Sequence, residues 1–185
     1  MRNVYFMGHM KTRPVTKTAI GQDSHPFEPR GSAKPLVLGG VRVPGCPGLA
    51  GNSDADAVLH ALTNAVSGIS GANILGAVSD AMCRAQGVTD SREYLKKALA
   101  TLGDHRITHV SVSLEGKRPK MAPHIDAIKR SIAAIIGIRA ADVGFTATSG
   151  EGLTAFGRGE GLQVFAIVTA EPRRRRKVNR PGKDR

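Results

Sequence analysis

The sequence predicts an α+β protein, a mixed β-sheet with helices packed on one face. Three observations carry that prediction. Segments with the two-residue alternation of strands are interleaved with segments that carry a 3.6-residue apolar stripe. A hairpin turning at Gly39-Gly40 interrupts the series early, which does not suit a doubly wound parallel fold. The 185 residues are 41% apolar but include no Trp, two Tyr and five Phe, so one full-sized core has to be built from Val, Ile, Leu and Ala.

Taken in order, residues 18–22 read as a short strand running into Asp23-Ser24-His25-Pro26. Pro26 and Pro29 forbid a helix there, which puts Asp23 and His25 at a strand end or in a loop. Residues 36–38 and 41–43 form the hairpin, and a Gly/Pro loop follows over 44–52. A helix is expected from about 54 to 67, with Val58, Leu62, Ala65, Val66 and Ile69 on one stripe. Ser53 is the expected N-cap and Asp56 the third residue of a capping box. Asp56 and His60 are four apart, within reach of each other on that helix. Residues 68–88 contain four glycines and read as a loop with some short helix. A second helix is expected over 90–102, a half-buried strand over 107–114, and a third helix over 123–136 closed by Gly137. Residues 143–148 and 162–170 complete the strands.

The net charge of +12 is unevenly placed. Residues 172–185 hold eight basic residues and one acid, residues 1–19 hold four basic residues and no acid, and the stretch between them is nearly neutral at +1. We therefore expect a basic N-terminal extension at 1–17, one globular domain at 18–171, and an Arg/Lys-rich disordered tail at 172–185. Such a tail either stays solvated or binds polyanions without sequence preference. No run of 18 apolar residues and no secretory segment is present, and Cys46 and Cys83 form no C-x-x-C, so a cytoplasmic protein without membrane contact is expected.

Four clusters could carry chemistry. Asp23-x-His25 with a distant His60 supplies three ligands and leaves a fourth position on a zinc ion. Residues 117–123 place cations between a strand and a helix N-terminus, a setting suited to phosphate. Residues 146–153 leave a strand with three hydroxyls, two glycines and Glu151, suited to a diphosphate with Mg²⁺. Gly157-Arg158-Gly159-Glu160-Gly161 alternates glycine with an oppositely charged pair, which implies close backbone approach.

In order and spacing these clusters resemble the 2-C-methyl-D-erythritol 2,4-cyclodiphosphate synthase family. Asp23-Ser24-His25-Pro26 looks like its D-V-H-x element, and residues 53–63 look like its S-D-G-D-x-x-x-H-A-L-T/C. Counterparts also exist for Asp90-Ser91-Arg92, for 119–125 and for 147–161, so the resemblance spans about 19–171. It implies a homotrimer of four-stranded subunits with active sites at the subunit interfaces. It also implies Zn²⁺ on Asp23, His25 and His60, and Mg²⁺ or Mn²⁺ held by Glu151 with the substrate phosphates. Pro119, Lys120, Met121 and Ala122 would line a cytosine pocket, Thr148 and Ser149 would contact the diphosphate, Asn52 and Ser53 would face the reacting phosphates, and Arg158 would serve binding near the trimer axis. The implied reaction is metal-dependent intramolecular phosphoryl transfer, in which a CDP-linked methylerythritol 2-phosphate closes to the cyclodiphosphate and releases CMP.

The chain departs from the family pattern at Asn52, where the family has histidine, and at 72–83, where the usual G-D-I-G and F-P-D-T-D-type segments are replaced. Two alternatives stay open at this point: a paralogue cleaving another CDP-linked substrate, and a non-catalytic zinc- and nucleotide-binding trimer with a nucleic-acid-binding tail.

Overall fold

The computed structural model describes residues 15–173, so most of both basic extensions lies outside the described residues. Four strands form one mixed sheet in the order β1-β6-β4-β5. They are β1 (Lys17–Pro26), β4 (His105–Glu115), β5 (Val143–Thr148) and β6 (Gly161–Pro172). β6 is antiparallel to both β1 and β4, and β4 runs parallel to β5. The C-terminal ends of β1, β4 and β5 therefore meet at one end of the sheet. A separate hairpin pairs β2 (Pro35–Leu38) with β3 (Val41–Pro47) through Gly39 and Gly40, both at positive φ.

Alternation along the central strands separates the two faces. Leu162, Val164, Ala166, Val168 and Ala170 of β6 and Val110, Val112 and Leu114 of β4 are buried under the helices. The opposite face leaves apolar side chains in solvent: Ile20 is 62% exposed, Phe165 41% and Ile167 42%. Ile20 and Ile167 are paired residues of neighbouring strands.

Helix α1 (Ala57–Ser70) packs over β1 and β6, with Val58, Leu59, Leu62, Ala65 and Val66 fully buried. It approaches β1 closely because of Gly21, where a Cβ would lie 2.1 Å from the Ala61 carbonyl oxygen. Helix α3 (Ser91–Leu99) packs beside α1, and α4 (Ile125–Ile136) ends at Gly137 with φ 81°.

Three expectations need correction. The cap of α1 is Asp56, whose Oδ1 accepts Val58 N–H at 3.1 Å and Leu59 N–H at 3.0 Å, while Ser53 Oγ accepts only Ala55 N–H. The stretch read as a loop with some short helix holds a ten-residue helix, α2 (Ala77–Gln86), after α1 has run on to Ser70. β1 runs past the expected residue 22 to Pro26, so of the two expected placements Asp23 and His25 take the strand end, in register with Val164 and Leu162. The fifth helix, α5 (Ala155–Arg158), is a single turn ahead of β6.

Candidate active site and metal centre

Strand alternation puts Gly21, Asp23 and His25 on the face of β1 turned toward α1, and the gap at Gly21 lets α1 bring His60 down to them. Asp23 Oδ2 lies 2.9 Å from His25 Nε2 and 3.1 Å from His60 Nδ1, and the two imidazole nitrogens are 3.4 Å apart. Donors about 2.0–2.1 Å from a tetrahedral zinc ion sit about 3.3 Å from one another, so this triangle fits such an ion. Among the described residues it is the one such group able to hold a metal. Two neutral imidazoles and one carboxylate are a borderline-soft donor set, better matched to zinc than to Mg²⁺ or Ca²⁺.

The groups tune one another. Burial works to raise the Asp23 carboxyl, but hydrogen bonds with His25 and His60 outweigh it and hold the group below the ordinary carboxylate value. The same Asp23 contact raises the His25 imidazole above its ordinary value, against a smaller opposing effect of burial.

Asp56 does not orient His60. Its carboxylate turns the other way and accepts Gly39 N–H at 2.8 Å and Gly40 N–H at 2.6 Å, tying the start of α1 to the hairpin turn. The partner of His60 is Ser91, with Oγ 2.9 Å from Nε2. Ser91 in turn donates its hydroxyl to Asp54 Oδ1. Beside His25 and His60 opens a cleft of about 210 Å³, lined from one side by Asn52 and Ser53 and from α2 by Ser79, Asp80 and Cys83. Cys83 donates its thiol hydrogen to the Asn52 carbonyl at 3.4 Å, joining α2 to the loop before α1.

The phosphate-type segments gather at the ends of β4 and β5. Ser149 donates to Glu151 Oε1 at 2.5 Å, Thr148 Oγ1 accepts Gly150 N–H at 3.2 Å, and Glu151 itself has φ 47°. Thr148, Ser149 and Glu151 are all exposed. The turn after β4 buries Met121, half-buries Pro119 and leaves Lys120 and Ala122 exposed. Gly116 N–H donates to the Thr148 carbonyl and Lys117 N–H to the Phe156 carbonyl, both at 3.0 Å, which fastens this turn to the residues after β5. Arg158 is exposed and paired with Glu160 at 2.9 Å. Gly161 starts β6 so close to β1 that a Cβ there would lie 2.3 Å from the His25 carbonyl oxygen.

The Asp23–His25–His60 triad and the Thr148–Glu151 segment are not adjacent within this chain. Ser24, Gln163, Glu115 and Thr148 stand in one row across the sheet. Three inter-strand steps, roughly 14 Å, therefore separate the two groups.

The model of one protein family, the YgbB family, matches residues 16–171. The chain belongs to the YgbB family. It is similar to the 2-C-methyl-D-erythritol 2,4-cyclodiphosphate synthase of Chlamydia muridarum, 46% identical over 156 residues that cover 84% of this chain and 88% of that one. The enzyme of the same name from Chlamydia caviae is 44% identical over 160 residues, 86% of this chain and 91% of its own length. Among solved structures, a CDP-bound 2C-methyl-D-erythritol-2,4-cyclodiphosphate synthase superposes with a TM-score of 0.73 at 28% identity, covering 84% of this chain and 100% of that one. The bifunctional IspDF from Campylobacter jejuni gives 0.74 at 27% identity, covering 86% of this chain, which spans 43% of that protein.

In this member of the YgbB family, Asp23, His25 and His60 are legible from sequence as one set, while the groups behind them are not. Ser91 was visible only as part of Asp90-Ser91-Arg92, and Asp54 only as one residue of the 53–63 segment. Ser79, Asp80 and Cys83 reach the cleft because α2 is a helix. A capping pattern for α3, with Asp90 accepting Arg92 N–H at 2.9 Å, was the one local sign that Ser91 opens a helix.

Proposed function

We propose that this chain is a metal-dependent phosphorus–oxygen lyase. It converts 4-diphosphocytidyl-2-C-methyl-D-erythritol 2-phosphate to the 2,4-cyclodiphosphate and releases CMP. The observation that carries this reading is the convergence of Asp23, His25 and His60 on one point beside an open cleft, in a chain of this family. Asp23, His25 and His60 hold Zn²⁺, and Glu151 helps the substrate phosphates hold Mg²⁺ or Mn²⁺. When bound, these ions neutralise phosphate charge and polarise the phosphorus under attack.

The chain's own work is positioning. Pro119, Lys120, Met121 and Ala122 receive the cytosine, and Thr148 and Ser149 offer hydroxyls to the diphosphate. Asn52 and Ser53, on the cleft wall, orient the 2-phosphate, and Arg158 supplies positive charge nearby. An oxygen of the 2-phosphate attacks the β-phosphorus, the bond from that phosphorus to the oxygen bridging it to the α-phosphate breaks, and the electron pair leaves with CMP. Nothing is oxidised or reduced, and no strong acid or base is required, so alignment and charge neutralisation supply the rate.

The roughly 14 Å between the triad and Thr148 exceeds what one diphosphate bridges, which favours a site shared by two protomers. The apolar patch of Ile20, Phe165 and Ile167 on the uncovered sheet face gives a trimer its contact surface. Asn52 and the α2 residues of the cleft favour a second reading, in which the acceptor is a different CDP-linked alcohol.

Incubating the full chain with the methylerythritol substrate, Zn²⁺ and Mg²⁺ should give CMP and cyclic product in equal amounts, with both lost on chelation. No CMP with Zn²⁺ and either Mg²⁺ or Mn²⁺ present would overturn the proposal. CMP release from another CDP-alcohol alone would establish the second reading.

A further inference from the structure

We infer that Ser91 and Asp54 are positioning residues for the metal site, a carboxylate–hydroxyl relay that fixes which nitrogen of His60 faces the ion. This rests on the proposed metal role of Asp23, His25 and His60.

Ser91 is fully buried and its hydroxyl carries a single proton. Asp54 accepts that proton at Oδ1, and Asp54 Oδ2 also accepts Ser91 N–H at 3.2 Å, so the serine is held at both its backbone and its side chain. With its proton committed to a carboxylate, Ser91 Oγ can only accept from His60 Nε2, 2.9 Å away. His60 Nε2 therefore bears hydrogen, and the lone pair left for an ion is on Nδ1. That is the nitrogen standing 3.1 Å from Asp23 Oδ2 and 3.4 Å from His25 Nε2. A ligand histidine whose far nitrogen donates to a fixed acceptor is held in orientation and made more basic. Here the acceptor is a hydroxyl polarised by Asp54, two steps from the ion. Asp54 is itself fixed, because its N–H donates to the Thr89 carbonyl at 2.9 Å and its Oδ1 accepts Asp56 N–H at 3.2 Å. The relay thus joins the start of α3 to the start of α1 across 37 residues of sequence.

The test measures zinc affinity of the full chain by competition with a chromophoric chelator at fixed pH, alongside thermal melting of the metal-free protein. Ser91→Ala should weaken zinc binding by about 10–100-fold while the secondary structure is kept, and Ser91→Thr, which retains the hydroxyl, should recover most of it. Asp23→Ala should abolish binding. Wild-type affinity in Ser91→Ala with binding lost in Asp23→Ala overturns the relay and leaves the metal reading standing. Wild-type affinity in Asp23→Ala overturns the metal reading itself. Should Ser91→Ala not fold, ¹⁵N imidazole spectra of the zinc-loaded wild-type chain decide. A hydrogen on His60 Nε2, protected from exchange, supports the relay, and an unprotonated Nε2 overturns it.

Discussion

Asp23 and His25 compete for a proton that a metal ion bound there would have to displace. His25 is raised above 6.5 chiefly by its hydrogen bond to Asp23, and Asp23 is held below 3.8 by its two histidines despite the opposing effect of burial. In metal-free protein the His25 contribution to stability is complete below pH 6.5 and is lost as pH rises through the raised folded value. The Asp23 contribution is complete above pH 3.8 and is lost as pH falls through the lowered folded value. The thermal midpoint of chelator-treated protein should therefore hold between those limits and decline above pH 6.5. Zinc binding has the opposite sign, because it needs His25 Nε2 free of hydrogen. The stabilisation that added zinc confers should grow over the same range in which the metal-free midpoint falls. A zinc increment independent of pH from 6.5 upward would contradict this account of the pair.

The start of α1 shows at the scale of one element what local sequence could and could not reveal. Asp56→Ala removes the helix cap, worth about 1 kcal/mol, and leaves without an acceptor the buried Gly39 N–H, at about 1–3 kcal/mol, and the half-buried Gly40 N–H, at about 1 kcal/mol. We expect a loss of at least about 3 kcal/mol in urea unfolding, whereas Ser53→Ala, which loses one hydrogen bond to Ala55 N–H, should cost under about 1 kcal/mol. Equal losses would restore Ser53 as the cap. The strands, the Gly39-Gly40 turn and the Gly137 end of α4 were legible because each is set by neighbours in sequence. Asp56 was misread because its partners lie 16 and 17 residues upstream, where no helical spacing rule reaches. The relay behind His60 was hidden for the same reason. Helix α2 was legible only as some short helix, without bounds, because Ser79 is its one buried residue and no apolar stripe marks its extent. The triad itself was visible only once three separated residues were read together, since an Asp-x-His by itself is common.

At the scale of the described molecule, the row from Ser24 to Thr148 puts Asp23, His25 and His60 at the same end of the sheet as Thr148, Ser149 and Glu151, and too far from them to share one diphosphate. The proposed site shared by two copies of the chain, each contributing one half, would resolve that distance. Asp23→Ala and Glu151→Gln should each be inactive, yet an equal mixture reassembled from separated subunits should recover about a quarter of the wild-type rate. That is the fraction of interfaces pairing an intact triad with an intact Glu151 in randomly mixed rings. A mixture as inactive as its components would confine the site to one protomer. The most direct measurement of the central claim is a crystal structure of the chain with zinc and CDP, with anomalous scattering recorded at the zinc edge. A zinc peak is expected about 2.0–2.2 Å from Asp23 Oδ2, His25 Nε2 and His60 Nδ1, with a phosphate oxygen of CDP as the fourth ligand. A zinc peak away from these three atoms, or CDP bound with its phosphates turned from them, would contradict it.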